Sequence, residues 1–108
     1  MTNIEKIEEL VQQELTEANA EHPQFHSDHE AWAVIAEECE ECGEEAEMMG
    51  HHLQKMWLAV RTDEDCRVEL KLLKHRAMSI IQEAIQIAAM CEKGLARYER
   101  EKEDDEKM

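Results

Sequence analysis

Seven glutamates fall within the thirteen residues of IAEECEECGEEAE, positions 35–47, with no lysine or arginine among them. Like charges three and four apart weaken a helix by a few tenths of a kcal/mol per pair. Such a stretch therefore asks for water, a basic protein surface or a cation. Glu-x-x-Glu spacing sets two carboxylates on adjacent turns of one helix face. Mg²⁺ uses a few such oxygens and fills its remaining positions with water and phosphate. Cys39-x-x-Cys42 shares the stretch, but on a helix face rather than in the turn of a zinc knuckle, and no second close Cys or His pair completes a zinc set. Both thiols are expected to be small core residues. No glutamate has a histidine three residues later, which removes a ferritin-like di-iron centre.

These residues have to be positioned by helices. The 108 residues hold one proline, three glycines and four aromatics, with Glu, Ala, Leu, Lys and Gln abundant, a composition that favours helix almost throughout. A first helix is predicted from about Asn3 to Ala20, capped by Thr2 or Asn3, with Ile4, Ile7, Leu10, Val11, Leu15 and Ala18 as its stripe. Pro23 ends it and Phe25 plugs the corner. Ser27-Asp28-His29-Glu30 reads as a capping box opening a second helix to about Met49. Gly50 interrupts, and His51–Arg61 reads as a short further helix or a bent continuation. The last helix runs from about Asp63 to Arg97. Its seam is Leu70, Leu73, Ala77, Ile80, Ala84, Ala88, Cys91, Leu95 and Tyr98. The expected fold is all-α: one domain over 1–98, a bundle of three to four helices, and a frayed charged tail over 99–108. A chain this short does not cover both sides of a long seam, so a homo-oligomer, dimer or tetramer, is expected to complete four-helix units.

At about 100° per residue the second helix points Ala31, Ile35, Cys39, Cys42, Ala46 and Met49 in one direction, the expected core face. Glu37, Glu40 and Glu44 lie opposite, as solvated surface. Glu38, Glu41 and Glu45 run along the border, where an unpaired charge pays for desolvation. They either pair with Lys or Arg of a neighbouring helix, reach over the rim into water, or chelate a cation. On the last helix Glu83 holds a matching border position beside Ala84, with Arg76 seven residues earlier. The run RVELKLLKHR, residues 67–76, carries four bases and one acid. Its Lys74 and Arg76 are the candidates for phosphate contacts.

The formal net charge is −15. Residues 28–49 hold nine acids and no Lys or Arg, and residues 99–108 hold six acids and three bases. Polymeric nucleic acid is excluded as a partner, since binding its backbone needs clustered bases. No membrane-length apolar run, secretory signal or lipidation motif appears. A cytoplasmic protein with reduced cysteines is expected.

FHSDHEAWAVIAEECEECGEE, followed later by QEAIQIAAM, resembles small MazG-like proteins of Gram-positive bacteria and their phages. These belong to the all-α nucleoside-triphosphate pyrophosphohydrolase superfamily. The resemblance covers roughly residues 25–47 and 82–92. It implies hydrolysis of an NTP or dNTP to the monophosphate and pyrophosphate, with Mg²⁺ (or Mn²⁺ in its place) as cofactor. By position, the metal ligands would be Glu38 and Glu41 of the EExxE run, then Glu83 and Gln86. Gln86 stands where an aspartate is usual, and an amide oxygen coordinates without bringing charge. The gap between the two motifs is long, and residues 51–70 read as an insertion. Glu45 would be a further ligand or orient the attacking water. Arg76 would stabilise developing charge, Lys74 would assist at phosphate, and Trp32 would stack on the base. The competing expectation is a MazG-like scaffold without the reaction, acting as an acidic protein-binding module.

Overall fold

A computed structural model describes residues 1–107 as three α-helices: α1 Asn3–Glu21, α2 Asp28–Arg61 and α3 Arg67–Lys107. The protein is an all-α helical bundle, with no strand among the described residues. None of the described helices is long and apolar enough to cross a membrane.

Local chemistry sets the boundaries. Thr2 caps α1 in a full capping box: its hydroxyl accepts the Glu5 N–H at 3.2 Å, and the Glu5 carboxylate accepts the Thr2 N–H at 3.4 Å. At α2 the Ser27 hydroxyl accepts the Glu30 N–H at 3.1 Å. Glu30 reaches back one residue further than a capping box requires, accepting the His26 N–H at 3.0 Å. Between α2 and α3, Asp63 adopts φ 54°, a left-handed turn that a short polar side chain tolerates. Asp65 then accepts the Arg67 N–H at 2.9 Å.

Three sequence expectations about the helices are corrected. Gly50 does not interrupt: α2 is one helix of 34 residues, because a single interior glycine costs about 1 kcal/mol and leaves every backbone bond intact. The start of α3 moves from Asp63 to Arg67, since Asp65 rather than the Thr62 region provides the cap. At its other end α3 continues past Arg97 to Lys107. Met108, the last residue of the charged tail, lies outside the described residues.

The chain divides into two compact units, Met1–Glu38 with the chain from Ile85 onward, and Cys39–Ala84. In the first, Val11, Phe25, Ala31, Ala89 and Met90 form the core, packed by Leu15, Val34, Ile35 and Ile85 among others. Phe25 closes the corner after Pro23 and is buried. Lys93 is buried too, its ammonium 4.6 Å from the Phe25 ring centre and hydrogen-bonded to the His22 carbonyl. Arg100 donates to the Phe25 carbonyl at 3.2 Å. Asp28 accepts from Arg97 at 2.9 Å and from the Tyr98 hydroxyl at 2.6 Å. These bonds anchor the loop before α2 to α3.

The second unit is an antiparallel hairpin of the C-terminal part of α2 and the N-terminal part of α3. Its inner line on α2 is Cys42, Glu45, Met49, His52, Met56 and Ala59, at alternating spacings of three and four. On α3 it is Glu69, Leu73, Arg76, Ile80 and Glu83. The expected core face is thereby corrected: Cys39 and Ala46 on α2, and Leu70 and Ala84 on α3, are exposed. The physical reason is pairing. A carboxylate, a guanidinium and an imidazole that satisfy one another can occupy the inside of a two-helix layer. Cys42, Met49, Leu73 and Ile80 keep their expected place inside, and the flank of the stripe with Cys39, Ala46, Leu70 and Ala84 is left facing out.

Candidate functional site

Within the second unit, Glu45 of α2 and Arg76 of α3 meet as an ion pair. The Arg76 Nη1 lies 3.2 Å from both carboxylate oxygens, and each side chain keeps about a quarter of its surface exposed. Arg76 Nε donates to His52 Nε2 at 3.4 Å. His52 is 6% exposed, and its Nδ1 is buried with no partner. Of the options open to the border glutamates, Glu45 takes the basic partner on the neighbouring helix.

Glu83 has no base beside it. It is half-buried, and its neighbour across the hairpin is Glu41 of α2. Burial first, then the charges of Glu41 and Glu45, raise its pKa above the usual carboxylate range. The Glu83 Oε2 atom is buried without a partner. A buried acceptor of this kind costs about 1–3 kcal/mol until something positive or a donor reaches it.

The other sequence-derived residues are distributed as follows. Lys74 is exposed on α3 within this unit. Glu38, Gln86 and Trp32 belong to the first unit, where Glu38 and Gln86 are half-buried and Trp32 is 71% exposed. Glu37, Glu40 and Glu44 are exposed, as expected of a solvated face. The four cysteines are free thiols. Among the described residues no three His, Cys, Asp or Glu side chains already stand in metal-binding geometry.

Two residues escaped the sequence reading, His52 and Glu69, whose Oε2 is also buried without a partner. A signal for both was available. Glu45 and His52 are seven apart, as are Glu69, Arg76 and Glu83, so each helix carries a polar column at the spacing of a coiled-coil position.

Glu41, Glu45 and Glu83 suit a hard divalent cation by donor type: all are carboxylates, and one presents an unpartnered buried oxygen. No protein-family model matches the chain, and no curated protein or solved structure is similar to it.

Proposed function

We propose that this protein is a Mg²⁺-dependent nucleotide pyrophosphohydrolase that cleaves an NTP or dNTP to the monophosphate and pyrophosphate. The observation that carries the proposal is the Glu41–Glu83 pair. Two neighbouring carboxylates, one with its pKa raised above the usual range by burial and the charge of the other, with one oxygen buried and unpartnered, form a site that favours a cation. Glu41 and Glu83 are the ligands, both in the second unit. Bound Mg²⁺ would neutralise triphosphate oxygens and acidify a coordinated water.

The remaining chemistry belongs to the chain. Glu45 is the acceptor for the proton of the attacking water, and Arg76, bound to its carboxylate, fixes its position. Lys74, exposed on the same helix as Arg76, meets phosphate. A cytoplasmic, self-associating protein fits this reading and the composition. The second reading, an acidic protein-binding module, is favoured by the engagement of Arg76 with Glu45, which occupies the guanidinium that phosphate would need.

Release of pyrophosphate from a panel of NTPs and dNTPs, with and without Mg²⁺, separates the two readings. The hydrolase reading expects Mg²⁺-dependent release that Glu83→Gln and Glu41→Gln each abolish. A folded wild-type protein showing neither release nor a Mg²⁺-dependent shift in thermal unfolding would leave only the binding module.

A further inference from the structure

The apolar line of α1 is used over only half its length. Ile4, Ile7, Val11, Leu15 and Ala18 follow one another at spacings of three and four. Val11 belongs to the core of the first unit, and Leu15 and Ala18 pack against it. Ile4 and Ile7 continue the same line, yet they are 62% and 43% exposed, and Leu10 beside them is 45% exposed. The Thr2–Glu5 capping box closes the first turn of this half of the helix, so the two isoleucines are presented on a preformed surface. Where α1 meets α3 the line borders a groove of about 250 Å³, lined by Ile7, Glu8, Val11 and Gln12 of α1 and by Ala88 and Glu92 of α3. The buried Val11 and half-buried Ala88 give it an apolar floor, and the exposed Glu8 and Glu92 put a carboxylate on each wall.

We infer that this groove binds a basic amphipathic helix of another protein. Charge selects the occupant. Residues 1–21 hold six acids and one base, Lys6. At about 100° per residue Lys6 lies on the far side of α1 from the apolar line. Lys93, next to Glu92 in sequence, is buried and committed to the His22 carbonyl and the Phe25 ring, so it neutralises neither wall. A second α1 laid in the groove would set its own six acids against these, and an anionic membrane surface would be repelled in the same way. A helix whose apolar stripe is flanked by Lys or Arg meets both requirements. Its apolar side chains cover Ile4, Ile7 and Val11, and its bases reach Glu8 and Glu92. Ile4 to Val11 spans about 10 Å at about 1.5 Å per residue, enough for anchors at i, i+3 or i+4, and i+7 of the docked helix. The groove lies wholly in the first unit and shares no residue with the Glu41–Glu83 pair. It therefore holds whether or not the chain hydrolyses nucleotides.

The probe is a fluorescent peptide of about 18 residues, with leucine at helical spacing along one face and lysine elsewhere. Anisotropy is followed as the full chain is added, without Mg²⁺ or nucleotide. The peptide should bind saturably, and its counterpart with glutamate for lysine should not bind. Ile7→Ser leaves the net charge unchanged and should weaken binding about tenfold through loss of one apolar anchor. Its helix content by circular dichroism should be retained, since Ile7 is already 43% exposed. Glu8→Gln with Glu92→Gln should also weaken binding about tenfold at low salt, and distinctly less at about 0.5 M salt. Glu37→Gln, Glu40→Gln and Glu44→Gln together remove three exposed acids elsewhere and should leave the affinity within about twofold. No saturable binding up to about 100 µM would overturn the inference. So would binding indifferent to Ile7→Ser, or weakened as much by the triple substitution as by the Glu8 and Glu92 pair, because either marks general attraction to an acidic surface. Light scattering in which Ile7→Ser dissociates an oligomer would assign this face to a second copy and overturn it equally.

Discussion

Replacing Arg76 by methionine removes the charge that stands between Glu45 and His52 while keeping an unbranched chain of similar reach. At 3.2 Å and an effective dielectric of about 20, the gross attraction is about 5 kcal/mol. Desolvation opposes it, and because each partner is about a quarter exposed, the net coupling should be about 2 kcal/mol. That is above a surface pair and below the largest buried ones. The single substitution should cost more, about 3 kcal/mol, since it also strands the Glu45 carboxylate and the His52 Nε2 inside the hairpin. Glu45→Gln alone should cost about 2 kcal/mol, and the double variant distinctly less than the sum of the singles. The assay is urea unfolding followed by circular dichroism at pH 7 and one protein concentration, with a double-mutant cycle. A coupling energy below about 0.3 kcal/mol would refute the idea that this pair allows charged residues to occupy the inner line.

Glu83 and Glu41 yield a pH prediction with a definite sign. The folded-state pKa of Glu83 is raised, chiefly by burial and the Glu41 charge, so the folded protein holds a proton that the unfolded chain gives up. The stabilising contribution is complete below the ordinary glutamate value of about 4.3 and is lost as pH rises through the higher folded value. Glu83→Gln should flatten this part of the stability profile and stabilise the protein at neutral pH, as measured by thermal unfolding between pH 4 and 8 in buffers without divalent ions. Mg²⁺ should stabilise wild type at neutral pH and not near pH 4, where the proton holds the site; an equal shift at both would count against Glu83 as a ligand. Asp28→Asn should bring the Tyr98 phenol down toward its ordinary range, since the hydrogen bond to Asp28 is the first cause of its raised pKa, and absorbance titration of tyrosinate reads this directly. Ser27→Ala should cost about 1 kcal/mol through the lost cap of α2, visible as a lower urea midpoint with an unchanged slope.

Sequence alone determined those features whose cause is local. Helical composition and periodicity made the chain all-α. Thr2 and Ser27 marked the starts of α1 and α2 because a hydroxyl beside a free N–H acts within three residues. Pro23 and Phe25 marked the corner between them. Glu37, Glu40 and Glu44, opposite the expected core face, were readable as solvated because helix geometry alone places them there. Tertiary structure decided which stripe turns inward. Apolarity pointed to Cys39 and Ala46, yet in the second unit the inner line runs through Glu45 and His52. Their partner Arg76 is 31 and 24 residues away, and a charge that finds its complement can be enclosed where an unpaired one cannot. The same pairing left Gly43, Gly50, Leu53 and Trp57 outside. Which face of an amphipathic helix is its core depends on what lies across from it, and that information is held by the other helix.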